Sequence, residues 1–334
     1  MSATVQADPA TPAGSASGLT PRRPLGDRAF QILALASGLL VLVILVLIAV
    51  TMTQQSTSWF TTEGWSGIFS TDWDPAHNKF GAMAFVYGTV VTSVIGIIIA
   101  FPVSMGVALL LTEVVPRRWS KPIVYVIDLL AVVPSVVWGL WGFLILIPWL
   151  QETIYPHVAS AVNGIWILGN LFGPLNGNFV SGASFFTAGL ILAIMIMPIV
   201  TSLSREVIAT VPTTDKEGAY ALGATRWEMI RGAVWPHSQT GIMGATLLGL
   251  GRAMGETIAV ALVIGSSPTI SSHLFTPGYS MPSVIANQFG EATAGVPRAA
   301  LIGMGVLLFL LTIIVNLTAR GVVERNARRT RGTA

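Results

Sequence analysis

The chain contains no cysteine, which removes disulfides, thiolate metal sites and cysteine nucleophiles together. Charge is nearly as scarce: Asp, Glu, Lys and Arg make up 10% of 334 residues, against about 25% in an ordinary soluble domain. Lysine occurs only at Lys79, Lys121 and Lys216, and none follows glycine in the pattern of a phosphate-binding P-loop. His77, His157, His237 and His273 stand singly, without metal-ligand spacing, so no metal site is expected. No basic stripe interleaved with aromatics offers a nucleic-acid surface. The chain is therefore read as no enzyme by itself, with no catalytic residues.

What is abundant is apolar: 53% of the residues are hydrophobic and mean hydropathy is +0.72. A soluble globule of this length cannot hide so much apolar surface behind so little charge. An all-α polytopic membrane protein is expected. Runs of about 20 mainly apolar residues mark six spans: Phe30–Met52, Met83–Leu111, Ile123–Leu150, Ser184–Leu203, Ile242–Ile264 and Ala299–Leu317. A weaker stretch, Val158–Phe172, is broken by Asn163, Gly164, Gly169 and Asn170 and reads as re-entrant or interfacial. Residues 1–26 are rich in Ala, Thr, Ser, Pro and Gly and read as a disordered tail. Residues 27–80 hold the first span and an outer segment, 81–320 the main helical domain, and 321–334 a basic tail.

Placing the N-terminus in the cytoplasm collects Arg22, Arg23, Arg28, Arg117, Arg118, Lys121, Arg205, Lys216, Arg226, Arg231 and the C-terminal arginines on one side. Only Lys79 and Arg298 fall outside, so the positive-inside rule sets both termini as cytoplasmic. Trp59, Trp65 and Trp73 then lie near the first outer interface, Asp128 and Glu113 near inner helix ends beside Arg117, Arg118 and Lys121, and Arg298 at the outer end of the last span, snorkelling to headgroups.

The cytoplasmic connection 204–240 is organised. Thr214 stands three residues before Glu217, and Thr225 three before Glu228, two capping-box signatures. Gly223 is a natural terminator between the two short helices they open, and Pro236 closes the second. The hairpin should present Tyr220, Ala221, Leu222, Trp227, Met229 and Ile230 as an apolar docking surface for another protein.

Glu217, Ala219, Gly223 and Pro236, at these spacings, resemble the EAA loop of binding-protein-dependent (MetI-like) ABC importer permeases. Gly218, Ala233 and Trp235 depart from its consensus. The resemblance implies a coupling helix within 205–237 that seats in a cytoplasmic ATPase, the ATP and magnesium being used by that partner and no cofactor by this chain.

The fifth span carries Arg252 and Glu256 inside an apolar run. Arg252 lies roughly 15 Å in from Ile242, near the middle of a core about 30 Å thick, where a charge costs about 2.5–3.5 kcal/mol on insertion scales. Four residues apart on one helix, Arg252 and Glu256 would share a face and can pair. They either line a translocation path or fix helix register. Gly241, Ala245, Gly249, Ala253, Thr257, Ala261 and Gly265 set a small residue at every fourth position, with Gly251 and Gly255 as a second pair, so close helix packing is expected on several sides. Pro134 and Pro198 should kink their spans, and Ser135 either packs or hydrogen-bonds a passing oxyanion.

Gly-Arg-Ala-Met-Gly-Glu-Thr at 251–257, continued by Ile-Ala-Val-Ala-Leu-Val-Ile-Gly, resembles the phosphate importer permeases of the Pst system, the continuation being nearer the PstC type than the PstA type. Val133–Gly139, with Trp138, resembles a second segment of that family. The resemblance covers about residues 80–320. It implies a six-helix MetI-like bundle and a transport role for Arg252 and Glu256. The implied partners are a PstA-type permease, a PstB-type ATPase dimer, a PstS-type phosphate-binding protein, phosphate and membrane lipid. Another oxyanion such as molybdate or sulfate, a membrane sensor or scaffold of the same shape, and a passive anion channel remain the alternatives.

Overall fold

The computed structural model describes residues 25–162, 164–173 and 181–331. Most of the expected N-terminal tail therefore lies outside the described residues, as do the side chains of the arginines beyond Gly321. Among the described residues five helices are long and apolar enough to cross a membrane. They lie in α1 (Leu25–Gln55), α2 (Met83–Val114), α4 (Ser135–Val162), α5 (Phe185–Ala209) and α10 (Val296–Arg331), the last through its Val296–Gly321 portion.

The two remaining departures from the expected spans are both breaks. Pro134 forces Val133 into an extended conformation (ψ 126°), since proline clashes with a helical predecessor. Helix α3 (Arg117–Val132) stops there and α4 starts afresh at Ser135. The third span is thus Ser135–Val162 rather than Ile123–Leu150, and Asp128 belongs to α3. Helix α4 continues past Leu150 through π-turns at Gly142–Leu146 and Leu150–Ile154. The first part of Val158–Phe172 therefore completes α4, and Trp166–Phe172 forms a short helix of its own. The expected fifth span is likewise divided, into α8 (Trp235–Gly255) and α9 (Ile258–Val263). Pro198, by contrast, lies inside an uninterrupted α5.

Helix α5 is the axis of the core, with 61% of its apolar window buried. Glycines let α2 approach it: a Cβ at Gly189 would lie 2.5 Å from Ile95 Cγ2, and one at Gly96 3.2 Å from Leu192 Cβ. At the end of the bundle where α2 begins, Trp73–Asp74 and Lys79–Phe80 form a small antiparallel hairpin. Trp59, expected at an interface, is fully buried in a cluster with Phe80, Phe85, Met281 and Met304. Its indole N–H donates to the Phe80 carbonyl at 3.0 Å, which satisfies the one polar atom that would otherwise hold it at the surface. Trp65 remains 79% exposed.

Candidate functional site

At the opposite end, α6 (Thr213–Ala221) and α7 (Arg226–Met229) form the expected helical hairpin. Gly223 makes the elbow at φ +83°, a conformation that favours glycine. The second capping box is complete: Thr225 Oγ1 accepts from the Glu228 N–H at 3.4 Å, and Glu228 Oε2 accepts from the Thr225 N–H at 2.7 Å. The Thr225 N–H and its hydroxyl, which donates to Glu228 Oε2 at 2.8 Å, together hold the Glu228 carboxyl below its ordinary value. The first box does not form. Pro212 takes the N-cap position at φ −56° and starts α6 at Thr213, leaving Thr214 inside the helix.

Pro236 does not close α7 either. A π-turn, Ile230–Val234, carries the helix directly into α8, with Pro236 in its first turn. The widened turn absorbs the missing N–H and ring bulk that would disrupt a regular α-turn. Glu217 and Gly218 face outward, and nothing stands within 4 Å of a Cβ at Gly218 or Gly223. Ala219 packs half-buried against a cluster that includes Met105, Ala108 and Ile208. Tyr220, Leu222 and Trp227 are 46, 91 and 66% exposed, whereas Met229 and Ile230 turn into the bundle at 2 and 8%. The outward apolar surface is thus narrower than the sequence suggested.

In the middle of the bundle the two breaks are neighbours. A Cβ at Gly139 would lie 2.7 Å from Ala259 Cα, and one at Gly142 3.0 Å from Val263 Cγ1, so α4 and α9 run side by side. Continuing that register about one turn toward the N-terminus sets Ser135, half-buried at the head of α4, level with the break after Gly255. Adjacent discontinuous helices at depth are how transporters expose backbone dipoles to a substrate, since unpaired backbone is tolerated there only beside protein or water.

Arg252 is exposed in the last turn of α8, where the helix dipole favours a cation. Glu256 is the C-cap, with φ −70° and ψ 128°. The expected Arg252–Glu256 pair is absent because i and i+4 share a face only while the helix continues, and it stops between them. Among the described residues neither side chain has a hydrogen-bond or ion-pair partner.

Helix α8 packs against α5, α2 and α10, as its small residues suggested, and its tightest glycine contacts fall on α5. A Cβ at Gly241 would meet Val207 Cγ1 at 2.5 Å, and one at Gly249 would meet Val200 Cγ2 at 2.7 Å, both on α5. Gly244, Gly251 and Gly255 have nothing within 4 Å. On that open side a cavity of about 520 Å³ separates α8 from α10, lined by Thr240, Gly244, Leu248, Gly251, Asn316 and Arg320 among others. It begins one residue from Arg252 and ends in two polar side chains of α10.

Sequence reasoning missed two polar links between elements. Asp128 Oδ1 accepts from Ser202 Oγ on α5 at 3.1 Å, and Glu113 pairs with Lys216 at 2.6 Å. Of the local partners expected, neither acid pairs with Arg118 or Lys121, and the Arg117 side chain lies outside the described residues. Arg298 is also held locally: it donates to the Ala292 carbonyl at 3.3 Å and stacks over Phe289.

The long apolar helices, the two breaks and the loop hairpin are those of a polytopic helical membrane protein. The chain belongs to the family described as binding-protein-dependent transport system inner membrane component, whose model matches residues 92–332. It is similar to the phosphate transport system permease protein PstC of Mesorhizobium japonicum, with 42% identity over 332 residues covering 99% of each chain. The protein of the same name from Xylella fastidiosa (strain Temecula1) is 43% identical over 91% of this chain and 92% of its own. The fold resembles the bacterial alginate ABC transporter solved with its pentasaccharide-bound periplasmic protein, at TM-score 0.60 and 16% identity over 91% of this chain and 98% of that one. The MetNI methionine ABC transporter gives 0.51 and 14% over 72% and 94%. Membership of that family makes the chain an inner-membrane component of a binding-protein-dependent transport system.

Proposed function

We propose that the chain is the phosphate-conducting permease subunit of an ATP-driven importer and supplies half of its pathway. The other half is a PstA-type permease, two PstB-type ATPase subunits sit beneath, and a PstS-type protein delivers phosphate from outside. Both termini and the 205–237 hairpin lie in the cytoplasm, where the cationic side chains concentrate. ATP and magnesium act on the ATPase and never on this chain.

The observation that carries the reading is the unpaired guanidinium of Arg252 beside two helix breaks. Arginine stays charged at physiological pH and offers a planar fork to phosphate oxygens. In a path of low dielectric it offsets part of the cost of dehydrating the anion. Ser135, at the same level, adds a hydroxyl and the first amides of α4. Release needs a competitor, and Glu256 is placed to be one: rewinding the break would return it to the Arg252 face. The cavity between α8 and α10 is the inward continuation of the path.

Uptake of radiolabelled phosphate tests this in cells lacking their own importer and supplied with the partner subunits. ATPase-dependent uptake that collapses in Arg252→Gln at matched membrane levels is the expected result. Uptake of molybdate or sulfate in place of phosphate would move the substrate. Uptake that survives the substitution would make Arg252 structural.

A further inference from the structure

Helix α6 touches the bundle through two residues on one face. Ala219 rests on the apolar cluster that holds Met105 and Ala108 of α2, and three residues earlier Lys216 Nζ reaches Glu113 Oε1 at 2.6 Å. The pair is largely shielded, with side-chain exposures of 18 and 7%, although the rest of α6 is mostly exposed. Glu113 sits in the π-turn Leu110–Val114 that ends α2. An apolar contact such as Ala219 can slide, but a desolvated ion pair resists both sliding and separation, because either strands a charge away from water.

From Glu113 the packing is continuous. Helix α2 interlocks with α5 at Gly96 and Gly189, and α5 interlocks with α8 at Gly241 and Gly249, eleven and three residues before Arg252. We infer that the Glu113–Lys216 ion pair is the link by which movement of the loop helix α6 is transmitted to the transmembrane core. Both are positioning residues that never touch substrate. The inference rests on α6 being the ATPase-facing helix of the proposed function.

The test is the ratio of anion imported to ATP hydrolysed by the complete importer in proteoliposomes. Glu113→Gln and Lys216→Met should hydrolyse ATP while the ratio falls roughly tenfold, within the range by which residues along such networks change coupling. The exchanged pair Glu113→Lys with Lys216→Glu should recover most of the ratio, which loss of fold would not predict. Single variants with the native ratio, or an exchanged pair as defective as the singles at native membrane levels, would overturn the link. Where a single variant fails to reach the membrane, the exchanged pair alone decides. If the wild-type complex carries another oxyanion, the phosphate reading fails on its own and the ratio is taken with that anion.

Discussion

On one face of α8, Gly241 and Gly249 lie against α5, with Ala245 and Ala253 buried between and beyond them; on the other, Gly244, Gly251 and Gly255 look into open space. The residue types match and the environments are opposite. Against α5 each glycine is a steric condition, since a single added carbon would overlap a valine of the facing helix. On the open face nothing in this chain requires glycine, and that is the face lined by the 520 Å³ cavity; Arg252, three residues after Gly249, stands exposed at the edge of the packed face. A small residue with no internal neighbour reserves room for something that is not this chain, an anion or a second subunit.

The sharpest way to break this contrast is Arg252→Gln. If the exposed guanidinium at the edge of the two faces lines a path, uptake falls at least about tenfold, the scale of losing one charge-assisted hydrogen bond to an anion, while the thermal midpoint of the purified chain stays unchanged. A fall in stability without a fall in uptake would make Arg252 part of the packed face. Next comes a paired comparison of Gly249→Val and Gly251→Val. Overpacking costs about 1–3 kcal/mol, so the first should lower the midpoint in detergent and the second should not. Equal destabilisation of the isolated chain would show that the open face is closed. Glu256→Gln should be quieter still in stability, since no partner is lost, and should appear only as slower uptake per ATP.

The contrast was half legible in the sequence. The period of four from Gly241 to Gly265 marked a ridge, and the ridge exists as far as Ala253. Beyond it the periodicity promised a continuous helix through Glu256, and backbone geometry overruled it: Gly255 propagates a helix weakly, and the chain leaves helical conformation at the next residue. Pro134 announced the other break but was placed inside a span, because the amphipathic α3 ahead of it is apolar enough to merge with α4 in a hydropathy window. The loop was read best where the signal was local. The Gly223 elbow and the Thr225–Glu228 box depend on neighbours within three or four residues. Glu113 and Lys216 stand 103 positions apart, and no periodicity or spacing joins them.

The smallest predicted effect belongs to that local region and serves as a control remote from both faces. Thr225→Ala removes the hydroxyl that accepts the Glu228 N–H, a change worth about 1 kcal/mol for an N-cap, or about fivefold faster exchange of the first α7 amides at neutral pH. The box also carries a pH signature of defined sign. The Glu228 carboxyl is depressed by its hydrogen bonds from Thr225. Its contribution is therefore fully present above the ordinary carboxylate value of 4.5 and is lost as pH falls through the depressed one. Hydrogen exchange corrected for its intrinsic pH dependence should show α7 loosening on acidification in the wild type. In Glu228→Gln that acid step should vanish, because the amide oxygen still accepts the Thr225 N–H but nothing titrates. An acid step that persists in Glu228→Gln would assign it to another carboxylate. Arg252 should be indifferent to all of this, so uptake at neutral pH should change little in either variant.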